Sequence, residues 1–180
     1  GFDVWFVDLP GYGKSTRPPQ MDEPADKNKP LVSTEDAVRN VGAVVDAILA
    51  KRHLKKLNLI GWSWGTTIMG TYTARNDDKV EKLVLYAPVW IAEGPSPFKG
   101  PIPAYRTVKK DEALKRWVRG VPEDKVATLI PKHWFDIWAD AAWAQDPVGA
   151  KENPPVLRAP NGVIEDFKDI KSRGLSGVML

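Results

Sequence analysis

Leu59-Ile60-Gly61-Trp62-Ser63-Trp64-Gly65-Thr66 is the stretch on which the reading of this chain turns. A short apolar run, Leu57-Asn58-Leu59-Ile60, ends at Gly61, and Thr66 to Arg75 reads as a helix. The pattern G-x-S-x-G therefore stands where a strand passes into a helix. A serine on so sharp a turn is strained, and its hydroxyl is held above the sheet at the head of the next helix. There the helix dipole and unpaired backbone N–H groups favour the negative charge of a tetrahedral intermediate. Both flanking glycines are expected as steric requirements, because a side chain at either would collide with the neighbouring strand and helix. The pattern also arises by chance, and the plain alternative is a Gly/Ser turn in an ordinary strand–helix unit. The strand before it and the helix after it favour the chemical reading.

Outward from this turn, prolines divide the chain. Five of the sixteen fall before residue 31 and the other eleven from Pro88 onward, so residues 31–87 are free to hold regular structure. Ser33 or Thr34 can cap a helix with Glu35 and Asp36 in its first turn. Val38, Val41, Val45 and Ile48 recur at helical spacing, and Lys51 and Arg52 suit its C-terminal end. Lys82-Leu83-Val84-Leu85-Tyr86-Ala87 is a further buried strand, stopped by Pro88. With the opening run Val4-Trp5-Phe6-Val7, the order is strand–helix–strand–helix–strand. Such alternation predicts a parallel sheet covered on both faces. Three parallel strands near 3–8, 57–61 and 82–87 are expected, with 57–61 between the other two. Residues 89–104 read as an irregular connector. From about 105 to 150 the spacing predicts helices over 111–119, 122–130 and 131–144.

Directly after the first strand comes Asp8-Leu9-Pro10-Gly11-Tyr12-Gly13-Lys14-Ser15. Its end mimics a phosphate-binding loop, but that loop needs glycine where Asp8 stands, and its serine must open a helix. Arg17-Pro18-Pro19 forbids the helix. The better reading is a glycine-rich turn that Asp8 and Ser15 tie to itself.

The strand, the D-x-P-G-x-G-x-S turn, the amphipathic helix, the L-I-G-W-S-W-G-T junction and the strand ending Tyr86-Ala87-Pro88 together resemble the middle of an α/β-hydrolase-fold protein over residues 1–91. Residues 92–180 are more loosely similar to the connector and mostly helical cap that this family inserts there. The resemblance implies a serine nucleophile at Ser63 and an oxyanion hole to which the Trp64 backbone N–H contributes. It implies no metal or organic cofactor. The family's His-Gly-type oxyanion loop is not in the sequence, and neither strand that would carry the triad acid and histidine is recognisable. Ala87-Pro88-Val89 offers no acid at the alternative position. Of the two histidines, His53 sits beside Arg52 and Lys55 at a helix end, and His133 lies between Lys132 and Trp134 in the cap. Neither is expected to be the base, which would lie outside this chain.

Eight tryptophans are a high count for 180 residues, and they admit two readings. Trp62 and Trp64 flank the serine, so at least one should border the site. Trp134 and Trp138, one helical turn apart, either pack the cap on the sheet or line an apolar pocket for substrate. Composition excludes several other classes. With 43% hydrophobic and 27% charged residues the chain can bury a core. It has no cysteine for a disulfide, a thiolate zinc site or a thiol nucleophile. Its net charge of +3 is interleaved along the chain, giving no clustered basic face for nucleic acid. No apolar run approaches membrane-spanning length, and no signal-like segment opens the chain. No membrane partner and a cytoplasmic location are therefore expected. The chain opens on Gly1 within an apolar run and stops on another, Gly174 to Leu180, as a piece of a longer protein would.

The expectation is therefore an α/β fold, the parallel-sheet portion of a hydrolase followed by a helical cap and incomplete at both ends. Its function would be hydrolysis of esters, lactones or similar small acyl substrates. The Ser-Trp-Gly stretch also resembles that of proline iminopeptidases, and a non-catalytic binder of a small apolar ligand is the rival from another class.

Overall fold

The computed structural model describes residues 1–88 and 100–168. The boundary expected at 91/92, most of the proline-rich connector and the apolar run from Gly174 lie outside the described residues. Within them the chain is mixed α/β and forms two small two-stranded sheets.

The first sheet follows from the proline-free window. Helix α1 spans Thr34–Arg52 behind an N-cap at Ser33. The Ser33 hydroxyl accepts from the Asp36 N–H (3.1 Å), and the Asp36 carboxylate accepts from the Ser33 N–H (2.9 Å). This reciprocal box satisfies two of the four N–H groups that a helix start leaves without partners. Replacing Ser33 by Ala is expected to cost about 1 kcal/mol in urea denaturation, with Ser33→Asn close to wild type. Strand β1, Leu57–Trp62, runs into helix α2, Trp64–Arg75, and then strand β2, Val80–Tyr86. The two strands are parallel, with Leu59 opposite Leu83 and Trp62 opposite Tyr86. Ala37, Val38, Val41, Val45 and Leu49 of α1 pack with Ile68 and Tyr72 of α2 onto Leu59 and Val80. The helical spacing of those α1 residues is what turns them to one face.

Two expectations need correction here. The segment near residues 3–8 is no strand, and β1 is paired only with β2 among the described residues. Its apolar side chains face solvent, Phe2 and Phe6 at 90% and 93% exposed. An apolar run reports a wish for burial, but a strand also needs a neighbour to complete its backbone hydrogen bonds. This one is held instead against the end of α1. Asp3 pairs with Arg52 at 2.7 Å, and Lys51 and Arg52 lie over the Trp5 ring. Nor do the described residues cover the sheet on both faces. Both helices lie on the Leu57 and Leu59 side, so Ile60, Trp62, Val84 and Tyr86 stand exposed on the other.

The second sheet was not expected at all. Strand β3, Tyr105–Lys109, pairs antiparallel with strand β4, Val156–Pro160, where sequence spacing had suggested helix from 105 onward. Tyr105, Thr107 and Val108 are good strand formers, but their partner lies far along the chain. Between them come the foreseen helices α3 (Lys110–Trp117), α4 (Glu123–Leu129) and α5 (Lys132–Trp143). Ala113 of α3 and Phe135, Ala139 and Trp143 of α5 form a core, with Trp117 and Leu157 packed against it. After β4, helix α6 (Gly162–Lys168) returns the chain to the start of α1.

Candidate active site

Ser63 sits between β1 and α2 with φ +52° and ψ −121°. A side chain in that region is sterically costly, of order 1–3 kcal/mol, and such strain persists only where the surroundings impose it. The surroundings are visible. Ser63 N–H donates to Tyr86 O across the sheet (3.1 Å), and Ser63 O accepts from the Thr66 N–H (2.9 Å) and the Thr66 hydroxyl (2.6 Å). The strand and the first turn of the helix thus grip the serine backbone from both sides. Its side chain is exposed and makes no capping bond to α2. The hydroxyl is left at the positive end of the α2 dipole.

The two flanking glycines are not equivalent. A Cβ on Gly61 would lie 2.3 Å from Gly65 O and 2.9 Å from Thr66 Cα, whereas one on Gly65 meets nothing within 4 Å. The expected steric requirement therefore holds at Gly61 and is corrected at Gly65. Gly61 is what lets the helix start fold back on the strand. Gly61→Ala should destabilise the protein by roughly 1–3 kcal/mol, and Gly65→Ala much less. Paired thermal melts check the difference.

Around the serine the tryptophans separate. Trp64 is partly buried, and its indole N–H donates to the Thr34 hydroxyl at 2.9 Å. Its ring lies 6.3 Å from that of Tyr12, whose hydroxyl donates to Pro160 O (3.2 Å). Burial raises the Tyr12 phenol above its ordinary pKa, with Arg106 opposing, so it remains a protonated donor. Trp62 is 70% exposed and pairs with Tyr86 on the open face of the sheet. Trp138 packs among Trp117, Phe135 and Trp143 of the helical cluster. Trp134 is exposed beside His133. No ring contact among the described residues joins Trp134 or Trp138 to Trp62 or Trp64.

The glycine-rich turn closes on itself as expected, with Lys14 N–H donating to the Asp8 carboxylate and Ser15 N–H to Tyr12 O. A cleft of about 730 Å³ lies elsewhere, between the Met21–Pro24 segment, β3 and β4. It includes none of the residues from 61 to 66.

The histidines are accounted for by position. Thr34, in contact with Trp64, opens α1, and His53 closes it. The 19-residue helix puts His53 about 28 Å along the axis from that contact, out of reach of Ser63. His133 stands exposed in the first turn of α5, its ring against Trp134. No cluster of His, Cys, Asp or Glu among the described residues could hold a metal ion, and no helix there is long and apolar enough to cross a membrane. Thr34, Tyr12 and Asp166 are the site neighbours that sequence spacing did not reveal. Each reaches Trp64 through a contact distant in sequence, for which no local pattern exists.

Comparison with known proteins agrees with this geometry. The family model for the alpha/beta hydrolase fold matches residues 1–144. A Caenorhabditis elegans protein, abhydrolase domain-containing protein abhd-5.2, is 30% identical over 85 residues, which are 47% of this chain and 17% of that protein. The matched stretch is thus a small part of that relative's length. No solved structure matches the chain significantly.

Proposed function

The chain belongs to the α/β-hydrolase fold family, and on that premise we propose that Ser63 is the nucleophile of a serine hydrolase in the intact protein. Its substrates would be carboxylic esters, lactones or similar small acyl compounds. The observation that carries this reading is the strained Ser63 backbone, φ +52°, which holds an uncapped hydroxyl at the head of α2. In the reaction, Ser63 Oγ attacks the acyl carbon while a histidine outside residues 1–180 accepts its proton. The carbonyl electron pair moves onto oxygen, and the Trp64 N–H stabilises that oxyanion. Collapse expels the alkoxide, which takes the proton from the histidine. Water then attacks the acyl-enzyme by the same route, releasing the acid and restoring Ser63. Trp62 would border the attack site from the open side of the turn, and Trp134, exposed on α5, would serve the acyl or alcohol group.

An aminopeptidase of the proline-iminopeptidase kind uses the same nucleophile, and the Ser63-Trp64-Gly65 stretch favours it as the second enzymatic reading. A third reading is a hydrolase-fold protein that binds a small apolar ligand without catalysis, which the absence of a triad histidine from the full-length protein would favour. A fluorophosphonate probe decides between enzyme and binder, since it bonds only to an activated serine. The full-length protein should label at Ser63 and lose labelling in Ser63→Ala. Failure to label would overturn the hydrolase reading. Turnover of p-nitrophenyl esters against prolyl anilides then separates esterase from peptidase.

A further inference from the structure

The end of β4 and the helix after it return to the nucleophile turn by two routes, and both end on Trp64. In the first, Pro160 accepts from the Tyr12 hydroxyl, and the Tyr12 ring packs on the indole. In the second, the Asp166 carboxylate on α6 accepts from the Thr34 N–H, and the Thr34 hydroxyl accepts from the Trp64 indole N–H. Asp166 is 4% exposed and Thr34 2%. A carboxylate so deeply buried is tolerated only with donors, and the start of α1 supplies an N–H and the positive end of its dipole.

Asp166 completes the capping of α1: the box of Ser33 and Asp36 leaves the Thr34 N–H without an intrahelical acceptor, and Asp166 takes it. That N–H belongs to the residue whose own side chain holds Trp64. The approach is built into the backbone as well. Gly162 N–H donates to Leu31 O (2.7 Å), and a Cβ on Gly162 would sit 2.1 Å from Val32 O and 2.5 Å from Ser33 N. The segment is pressed against the entry of α1 at a distance that only glycine permits.

We propose that Asp166 is a positioning residue for the serine turn: through Thr34 it fixes the Trp64 indole, and with it the Trp64 peptide whose N–H faces the oxyanion. This rests on the serine-hydrolase reading above. Trp64 opens α2, so a rotation of its side chain is felt at the N–H beside Ser63. A displacement of a fraction of an ångström there weakens a bond made in the transition state and leaves ground-state binding alone. The loss should therefore fall on kcat rather than KM.

The experiment uses the full-length protein with Thr34→Val, Thr34→Ser and Asp166→Asn. Thr34→Val keeps the shape and removes the indole's acceptor, whereas Thr34→Ser restores it. The Trp64 indole resonance, assigned with Trp64→Phe in 15N-tryptophan-labelled protein, reports the relay without reference to activity. Thr34→Val and Asp166→Asn should both move that resonance and lower kcat by about ten- to a hundredfold, with KM within about twofold. Thr34→Ser should recover most of the loss. The proposal is overturned if Asp166→Asn leaves both resonance and kcat in place, if the loss appears in KM, or if Thr34→Ser is as damaging as Thr34→Val. Should Asp166→Asn not fold, the Thr34 pair decides. Full turnover in Ser63→Ala would overturn the hydrolase reading instead, a result on which the resonance does not depend.

Discussion

Ser63→Ala in the full-length protein is expected to lower acyl hydrolysis by on the order of 10⁴-fold or more, because nucleophile, base and oxyanion donors act as one unit. The residue left behind can neither form an acyl-enzyme nor use the proton acceptor aimed at it. KM should change little, since the serine side chain contributes little to binding an unreacted ester. The same reasoning predicts the behaviour of residues 1–180 alone. They keep Ser63 and Trp64, but His53 is a helix length away and His133 stands exposed on α5. Without a base the hydroxyl is a poor nucleophile. The 180-residue chain should show no turnover above its own Ser63→Ala control and no fluorophosphonate labelling. Labelling of this chain at Ser63 would mean that it contains a base, and His133→Ala would be the next variant to make.

The serine turn was legible because its determinants are local. Gly61, the apolar run before it and the helix after it lie within a few residues, and each constrains the same backbone. The start of α1 was legible for the same reason, as a cap at Ser33 or Thr34 with Glu35 and Asp36 in the first turn, and the valines of α1 announce the face they bury. The remainder depends on partners that no window of sequence contains. Val4-Trp5-Phe6-Val7 has the apolar character of a strand, yet the side chains are exposed and the segment is tied by charge to Arg52. Tyr105 to Lys109 becomes a strand because Val156 to Pro160 comes back to meet it. Asp166 meets Thr34 across 132 positions, and Thr34 meets Trp64 across 30. In a chain with 27% charged residues, nothing local marks which carboxylate is buried. The strain at Ser63 could be foreseen; what supports it from the far side could not.

Asp146 is the other buried carboxylate that spacing hides, and its removal should have the largest effect on stability. It is fully buried just beyond α5, and Arg158 of β4 is 5% exposed. Arg158 Nη2 donates to Asp146 at 2.7 Å and Nε at 3.0 Å, and the Arg158 and Val148 N–H groups add bonds of 2.8 and 3.2 Å. The guanidinium also donates to Met21 O and lies over the Tyr105 ring. One ion pair thus ties α5, β4, β3 and the segment around residue 21 together. Asp146→Ala leaves a buried guanidinium without its counter-ion and should cost roughly 3–5 kcal/mol in urea denaturation of the full-length protein. The pair Asp146→Leu with Arg158→Met removes both charges and should recover most of that loss, because the desolvation of two ions goes with them. Burial pushes the Asp146 carboxyl up, but the bonds from Arg158 and the backbone outweigh it and hold the group below its ordinary value of 3.8. A pKa lowered by folding stabilises the protein above the unfolded value and stops doing so as pH falls through the folded one. The deficit of Asp146→Asn should accordingly be constant from about pH 5 to 8 and shrink below about pH 4. A single variant costing less than about 1 kcal/mol, or a double variant as weak as the single, would show that the pair is not what joins these elements.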